Sequence, residues 1–262
     1  MQPACRLAGL AVMRFWFLIP GSIKGMSNDY FQFKQFTVHH DRCSMKVNTD
    51  SVMLGAWADV KAVSTALDVG TGSGLIALMI AQRSEAIIDA VEIDQLSGLQ
   101  AVENIDNSPW KNRIRIHHDS FQHYAVVCGK KYDLIISNPP YFRNALRPGD
   151  KGRSIARHDV DLGFEELLAH SSSLLASHGK VCVILPYAEK ENFIDLAHLN
   201  QLYCQRITSV MPAPGAPFSR VMMTFGHRLA KQIMKSELVI RQGNGQYSPD
   251  YIELTRDFYL AF

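Results

Sequence analysis

"TALDVGTGSGLIALMIAQR", residues 65–83, joins an apolar run to a helical one through three glycines at alternate positions, Gly70, Gly72 and Gly74. Residues 65–70 read as a short buried strand ending in glycine, and residues 73–83 as a helix with a serine near its start. Glycine permits positive φ and a close approach of ligand to backbone, and the helix N-terminus that follows favours an anionic group. The dinucleotide fingerprint G-x-G-x-x-G is not met, because Leu75 stands where the third glycine is required. No G-K-[ST] follows either, so the turn is not a P-loop.

The same strand-then-helix order repeats outward from this turn. "AIIDAVEID" (86–94) reads as a strand, "QLSGLQAVENIDNS" (95–108) as a helix stopped by Pro109, and "RIRIHHD" (113–119) as a strand of period two. "YDLIISN" (132–138) is a buried strand, "GFEELLAHSSSLLAS" (163–177) a helix, and "GKVCVILP" (179–186) another buried strand. A helix near 188–199 precedes strand-like stretches at 202–211 and 219–228, divided by the turn-rich "PAPGAPFS". Near-continuous apolar strands alternating with helices predict an α/β fold, a mostly parallel sheet covered on both faces, with an antiparallel C-terminal hairpin at one edge.

Composition sets broad limits. The 262 residues, 47% hydrophobic and 20% charged, are enough for one large domain with a sizeable core. A formal net charge of +2 does not by itself mark a nucleic-acid binder. The five cysteines are scattered without C-x-x-C spacing or a His-rich neighbourhood, which predicts reduced thiols, no metal and a cytoplasmic protein. "LAGLAVMRFWFLIPG" (7–21) is apolar, but Arg14 interrupts it, no A-x-A-like cleavage site follows, and it is too short to span a bilayer. Met26 opens a natural start, so residues 1–25 are read as an upstream extension outside the fold. Residues 26–262 then form a single domain, with 26–60 as an N-terminal cap and 143–160 as a basic loop.

The spacing D-x-G-x-G-x-G, from Asp68 to Gly74, resembles motif one of class I S-adenosylmethionine-dependent methyltransferases. That resemblance implies a Rossmann-like seven-stranded sheet and S-adenosyl-L-methionine as cofactor. It implies that Asp68 helps hold the cofactor's amino-acid end beside Gly70, Gly72 and Gly74. Glu92 would grip the ribose diol, and Asp119 would accept from the adenine amino group with backbone help from Ser120. Three acidic residues at successive strand ends strengthen the reading, since open α/β sheets bind ligands there.

"NPPY", residues 138–141, supplies the second motif. Two consecutive prolines lock φ, press the preceding residues into extended geometry and aim their carbonyls in fixed directions. Asn138-Pro139-Pro140-Tyr141 resembles motif four of amino-group methyltransferases. A conjugated exocyclic amine is a poor nucleophile. Acceptors placed out of its plane, here the Asn138 side-chain oxygen and the Pro139 carbonyl, favour a more pyramidal nitrogen. Tyr141 offers a face on which a flipped base stacks. No general base is required, so His117, His118 and His158 are assigned no catalytic part.

An NPPY loop alone does not choose between a nucleobase amine and a glutamine amide. Charge placement favours nucleic acid: between Arg143 and Arg157, five cations (Arg143, Arg147, Lys151, Arg153 and Arg157) face one acid, Asp150. "YFQFKQFTVHHDRCSMK" (30–46) interleaves Phe31, Phe33 and Phe36 with Lys34, Arg42 and Lys46, a mix suited to bases and phosphates.

"FKQF", "HDRCSMKVNTD", "LGAW", "LDVGTGSGL", "NPPY", "LVIR" and the terminal "FYLAF" together resemble the bacterial valine-tRNA adenine N6-methyltransferases, from about Phe31 to the C-terminus. The resemblance implies methylation of the N6 amine of adenine 37, beside the anticodon, with tRNA as partner and no membrane, metal or obligate protein partner. It also implies that "KVNTD" lies over the cofactor, which adds Thr49 and Asp50 to the expected cofactor shell. A glutamine methyltransferase acting on a translation factor is the rival enzyme. That class carries a substantial helical N-terminal domain, for which the 35 or so residues after Met26 leave no room. A nucleotide-binding or RNA-chaperone module without catalysis is the third reading, and both motifs being intact argues against it.

Overall fold

The computed structural model describes residues 28–140 and 162–262. The expected upstream extension, Tyr141 and the whole basic loop (143–160), including Arg143, Arg147, Lys151, Arg153 and Arg157, lie outside the described residues.

An N-terminal hairpin, β1 (Tyr30–Gln32) and β2 (Thr37–His39), pairs antiparallel with Phe31 opposite Val38. Helix α1 (Thr49–Trp57) follows, and the sheet then begins with β3 (Thr65–Val69). The chain continues through α2 (Leu75–Arg83), β4 (Ile87–Glu92), α3 (Gln95–Asp106), β5 (Ile114–His118), α4 (Phe121–Val127) and β6 (Tyr132–Ser137). Beyond the basic loop come α5 (Phe164–Leu174), β7 (Leu175–Pro186), α6 (Lys190–Leu199), β8 (Tyr203–Met211), β9 (Arg220–Gly226), β10 (Met234–Val239) and α7 (Pro249–Thr255).

The main sheet has eight strands in the order β10-β8-β9-β7-β6-β3-β4-β5. The run from β5 to β7 is parallel, and β9 enters antiparallel to both β7 and β8. The expected parallel sheet and antiparallel hairpin are therefore present, with one strand more than expected. That strand, β10, pairs parallel with the outer side of β8. Its sequence MKSELV buries little beyond Leu238, and a mostly exposed edge strand carries no apolar alternation to announce it. The helix read over 163–177 stops at Leu174, because the chain from Leu175 already pairs with Tyr132 of β6.

Strand pleat divides the interior into two cores. Along β7, Cys182 and Ile184 enter the core shared with α1, α2 and α7, while Val181, Val183 and Leu185 enter the one shared with α4, α5 and α6. Both faces are covered, which is why these strands read as continuous apolar runs. The chain order reverses at β3: β4 pairs on one side and β6 on the other. In open α/β sheets ligands bind beyond the strand ends at such a switch point. The glycine turn and Asn138 leave the sheet from these neighbouring strands.

Candidate active site

The glycine turn is built to bring backbone into the crevice. The Gly70 and Thr71 N–H groups both donate to the Val91 carbonyl, at 2.9 and 3.1 Å, so the turn folds back over β4. Gly72 (φ +57°) and Gly74 (φ +82°) lie in the left-handed region that other residues enter at a cost. At Gly74 a Cβ would also come within 3.4 Å of the Ala101 Cβ on α3, so glycine lets α2 start close to its neighbour.

Asp68 is 1% exposed and sits beneath this turn. Its Oδ2 accepts from the Thr71 hydroxyl (2.5 Å) and the Ala77 N–H in the first turn of α2 (3.1 Å). Its Oδ1 is buried with no hydrogen-bond partner. Burial pushes this carboxyl up to about 7; the Thr71 and Ala77 hydrogen bonds oppose the rise, and the charge of Glu92 adds to it. Glu92, at the end of β4, accepts from the Gly72 N–H through Oε2 and from the Asp94 N–H through Oε1, both at 2.8 Å.

Asp119 follows β5. Its Oδ1 accepts the Ser120 N–H at 2.8 Å, and its Oδ2 lies 2.5 Å from His123 Nδ1. Ser120 caps α4 by accepting the His123 N–H at 3.1 Å. On the other side of β3, the Ser137 hydroxyl donates to the Val69 carbonyl at 2.8 Å, tying the end of β6 to the root of the glycine turn. The next residue, Asn138, is therefore placed beside that turn, and its Nδ2 donates to Ser51 Oγ on α1 at 2.9 Å.

These groups surround one cavity of about 300 Å³. Of the expected residues, Gly70, Gly72, Glu92, Asp119, Asn138, Pro139 and Pro140 line it. Asp68, Gly74 and Ser120 stand behind the wall, holding the turn, the α2–α3 contact and the start of α4. Thr49 and Asp50 do not line it; the wall is made instead by Ser44–Asn48 and Ser51. Asn48 is the N-cap of α1, accepting the Ser51 N–H at 2.9 Å, so Thr49 opens the helix and Asp50 turns to Arg220 (2.7 Å) on β9. The cap pattern, an asparagine three residues before a serine, is the sequence signal for this placement. Ile93 and Phe121 add apolar wall next to Glu92 and Asp119, a contribution that polar motif residues do not reveal.

Two expected RNA contacts stand elsewhere. Lys34 Nζ donates to the carbonyls of Arg256 and Phe262, both at 2.6 Å, and tethers the C-terminus near the far ends of α1 and α2. Arg42 is paired with Glu103 and Gln100 on α3. The neighbouring rings are structural as well: Phe33 and Phe36 are 1% and 6% exposed and stack at 4.7 Å between ring centroids. Among the described residues no cluster of His, Cys, Asp and Glu suited to a metal ion occurs, and no helix is long and apolar enough to cross a membrane.

The chain fits known proteins at the level this site suggests. Residues 43–198 match the methyltransferase small domain family. A tRNA1(Val) (adenine(37)-N6)-methyltransferase of Trichodesmium erythraeum is 45% identical over 240 residues, covering 90% of this chain and 100% of that protein. The protein of the same name from Bacteroides fragilis is 46% identical over 237 residues, covering 90% of this chain and 99% of its own. The chain belongs to this family. The solved structure of a predicted O-methyltransferase from Agrobacterium tumefaciens has the same fold, with a TM-score of 0.63 at 20% identity, covering 80% of this chain and 96% of the other. Family membership makes the chain a class I methyltransferase that uses S-adenosyl-L-methionine. The residues present suit that group: an orphaned buried carboxylate oxygen at Asp68, glycines that leave the backbone bare, and Glu92 and Asp119 at successive strand ends.

Proposed function

We propose that this protein transfers a methyl group from S-adenosyl-L-methionine to the N6 amine of adenine 37 in a valine tRNA, in the cytoplasm. The observation that carries this reading is the junction of β3 and β6, where Ser137 holds Val69 and brings Asn138 to the cavity lined by the glycine turn and Glu92. The names of relatives at 45% and 46% identity supply the substrate.

When bound, S-adenosyl-L-methionine supplies a methyl group made electrophilic by its sulfonium. Everything else is positioning by this chain. The glycine turn, Glu92 and Asp119 hold the cofactor's polar groups, and Ile93 and Phe121 exclude water from the adenosine end. Asn138 Oδ1 and the Pro139 carbonyl would accept from the two N–H groups of the target amine, pulling its nitrogen out of conjugation; its lone pair would form the new N–C bond as the S–C bond to the methyl group breaks, the sulfur keeping that electron pair and leaving as S-adenosyl-L-homocysteine. The nitrogen then releases a proton to solvent. Tyr141 stacks on the flipped base, and the cations of the 143–157 loop neutralise phosphates.

The direct test is incubation of the full chain with the cofactor and in vitro transcribed valine tRNA carrying adenine or guanine at position 37. Nucleoside mass spectrometry is expected to find N6-methyladenosine only in the adenine transcript. Equal methylation of both transcripts, or of neither, contradicts the reading.

A further inference from the structure

An asparagine amide has two chemically opposite corners, and only its oxygen accepts from an exocyclic amine; its NH₂ would meet the amine donor to donor. The terminal torsion of Asn is broad and roughly two-fold, so rotamer preference alone does not choose the corner presented. In this chain α1 supplies a partner for one of the two corners. Asn138 Nδ2 donates to Ser51 Oγ at 2.9 Å, and both residues line the cavity.

Ser51 is itself firmly held. Its N–H is taken by the Asn48 cap at 2.9 Å, and the adjacent Asp50 is joined to Arg220 at the start of β9 at 2.7 Å. The first turn of α1 is thus fixed at its own start and against the antiparallel edge of the sheet. It presents one hydroxyl to the end of β6, 87 residues further along the chain. An apolar residue at position 51 would leave the NH₂ corner without this acceptor, and the amide would be freer to turn its oxygen away.

We propose that Ser51 is a positioning residue for methyl transfer, its hydroxyl oxygen holding the Asn138 amide so that Oδ1 faces the substrate amine. The inference rests on the assignment of Asn138 as acceptor for the adenine amine.

The test uses the full chain, valine tRNA and S-adenosyl-L-methionine. Ser51→Ala is expected to lower kcat about tenfold, the equivalent of one hydrogen bond that orients a reacting group. The cofactor Kd, titrated on the same preparation, stays at its wild-type value and certifies that the cavity is folded. Ser51→Thr, which keeps a hydroxyl, restores most of kcat. Unchanged kcat in Ser51→Ala overturns the proposal. A loss carried by cofactor affinity instead of kcat also overturns it, as does a Ser51→Thr loss as deep as that of alanine. A wild-type chain that leaves tRNA unmethylated refutes the proposed function; an active wild type with an equally active Ser51→Ala variant refutes the positioning role alone.

Discussion

Asp68 makes a prediction about pH whose size follows from its surroundings. The carboxyl is buried, its Oδ1 has no partner, and burial raises it from an ordinary value of 3.8 to about 7 in the fold. A carboxyl with a raised folded value binds its proton more tightly folded than unfolded. It therefore contributes stability that declines as pH rises from the unfolded value through the folded one. Integrating the proton difference between pH 5 and pH 8 gives a loss of roughly 2–3 kcal/mol from this group alone. Asp68→Asn, a neutral near-isostere, lacks the titration. Urea unfolding of both proteins at pH 5, 6, 7 and 8 is expected to show wild type losing that amount relative to the variant across the range. Stability profiles of wild type and Asp68→Asn that run parallel would refute the reasoning that this group is desolvated and protonatable in the fold.

Other outcomes follow from the same geometry. Asn138→Ala is expected to lower methyl transfer by roughly 10²–10³-fold, as for loss of an oriented donor or acceptor at a reacting centre, with cofactor affinity by calorimetry nearly unchanged. Lys34→Ala removes a tether on two C-terminal carbonyls, and is expected to lower the thermal midpoint by about 2–4 °C while leaving tRNA affinity intact in filter binding. Replacing Arg147 and Arg153 by alanine should weaken tRNA binding and flatten its dependence on log salt by about 0.7–0.9 for each phosphate that is no longer neutralised.

The candidate site is legible in the sequence because its parts sit where strands end. Asp68, Glu92, Asp119 and Asn138 each stand at or next to the C-terminal end of a strand, so finding the strands locates the residues, and the parallel topology then brings them together. Thr49 and Asp50 do not line the cavity because Asn48 caps α1, and a shift of one residue along a helix rotates a side chain by about 100°. The role of Lys34 is not contained in its sequence neighbours: its partners lie 222 and 228 residues away, and only the folded chain brings them near. The aromatic run beside it is likewise core, since Phe33 and Phe36 pack against each other and, respectively, Tyr259 and Trp110. β10 leaves no signal because its sequence is that of a polar edge, where pairing is made by backbone alone. Ser51 and Ser137 are short polar residues without a motif, and their importance is visible only in the hydrogen bonds they make.

The mechanism depends above all on Asn138 presenting a base's amine to the cofactor's methyl group in tRNA. Nucleoside mass spectrometry of valine tRNA, purified from cells in which the gene is deleted and then restored as wild type or as Asn138→Ala, tests that step most directly. N6-methyladenosine is expected to disappear with the deletion, return with wild type and stay absent with Asn138→Ala. Persistence of the modified base in the deletion, or its full return with the variant, would contradict it.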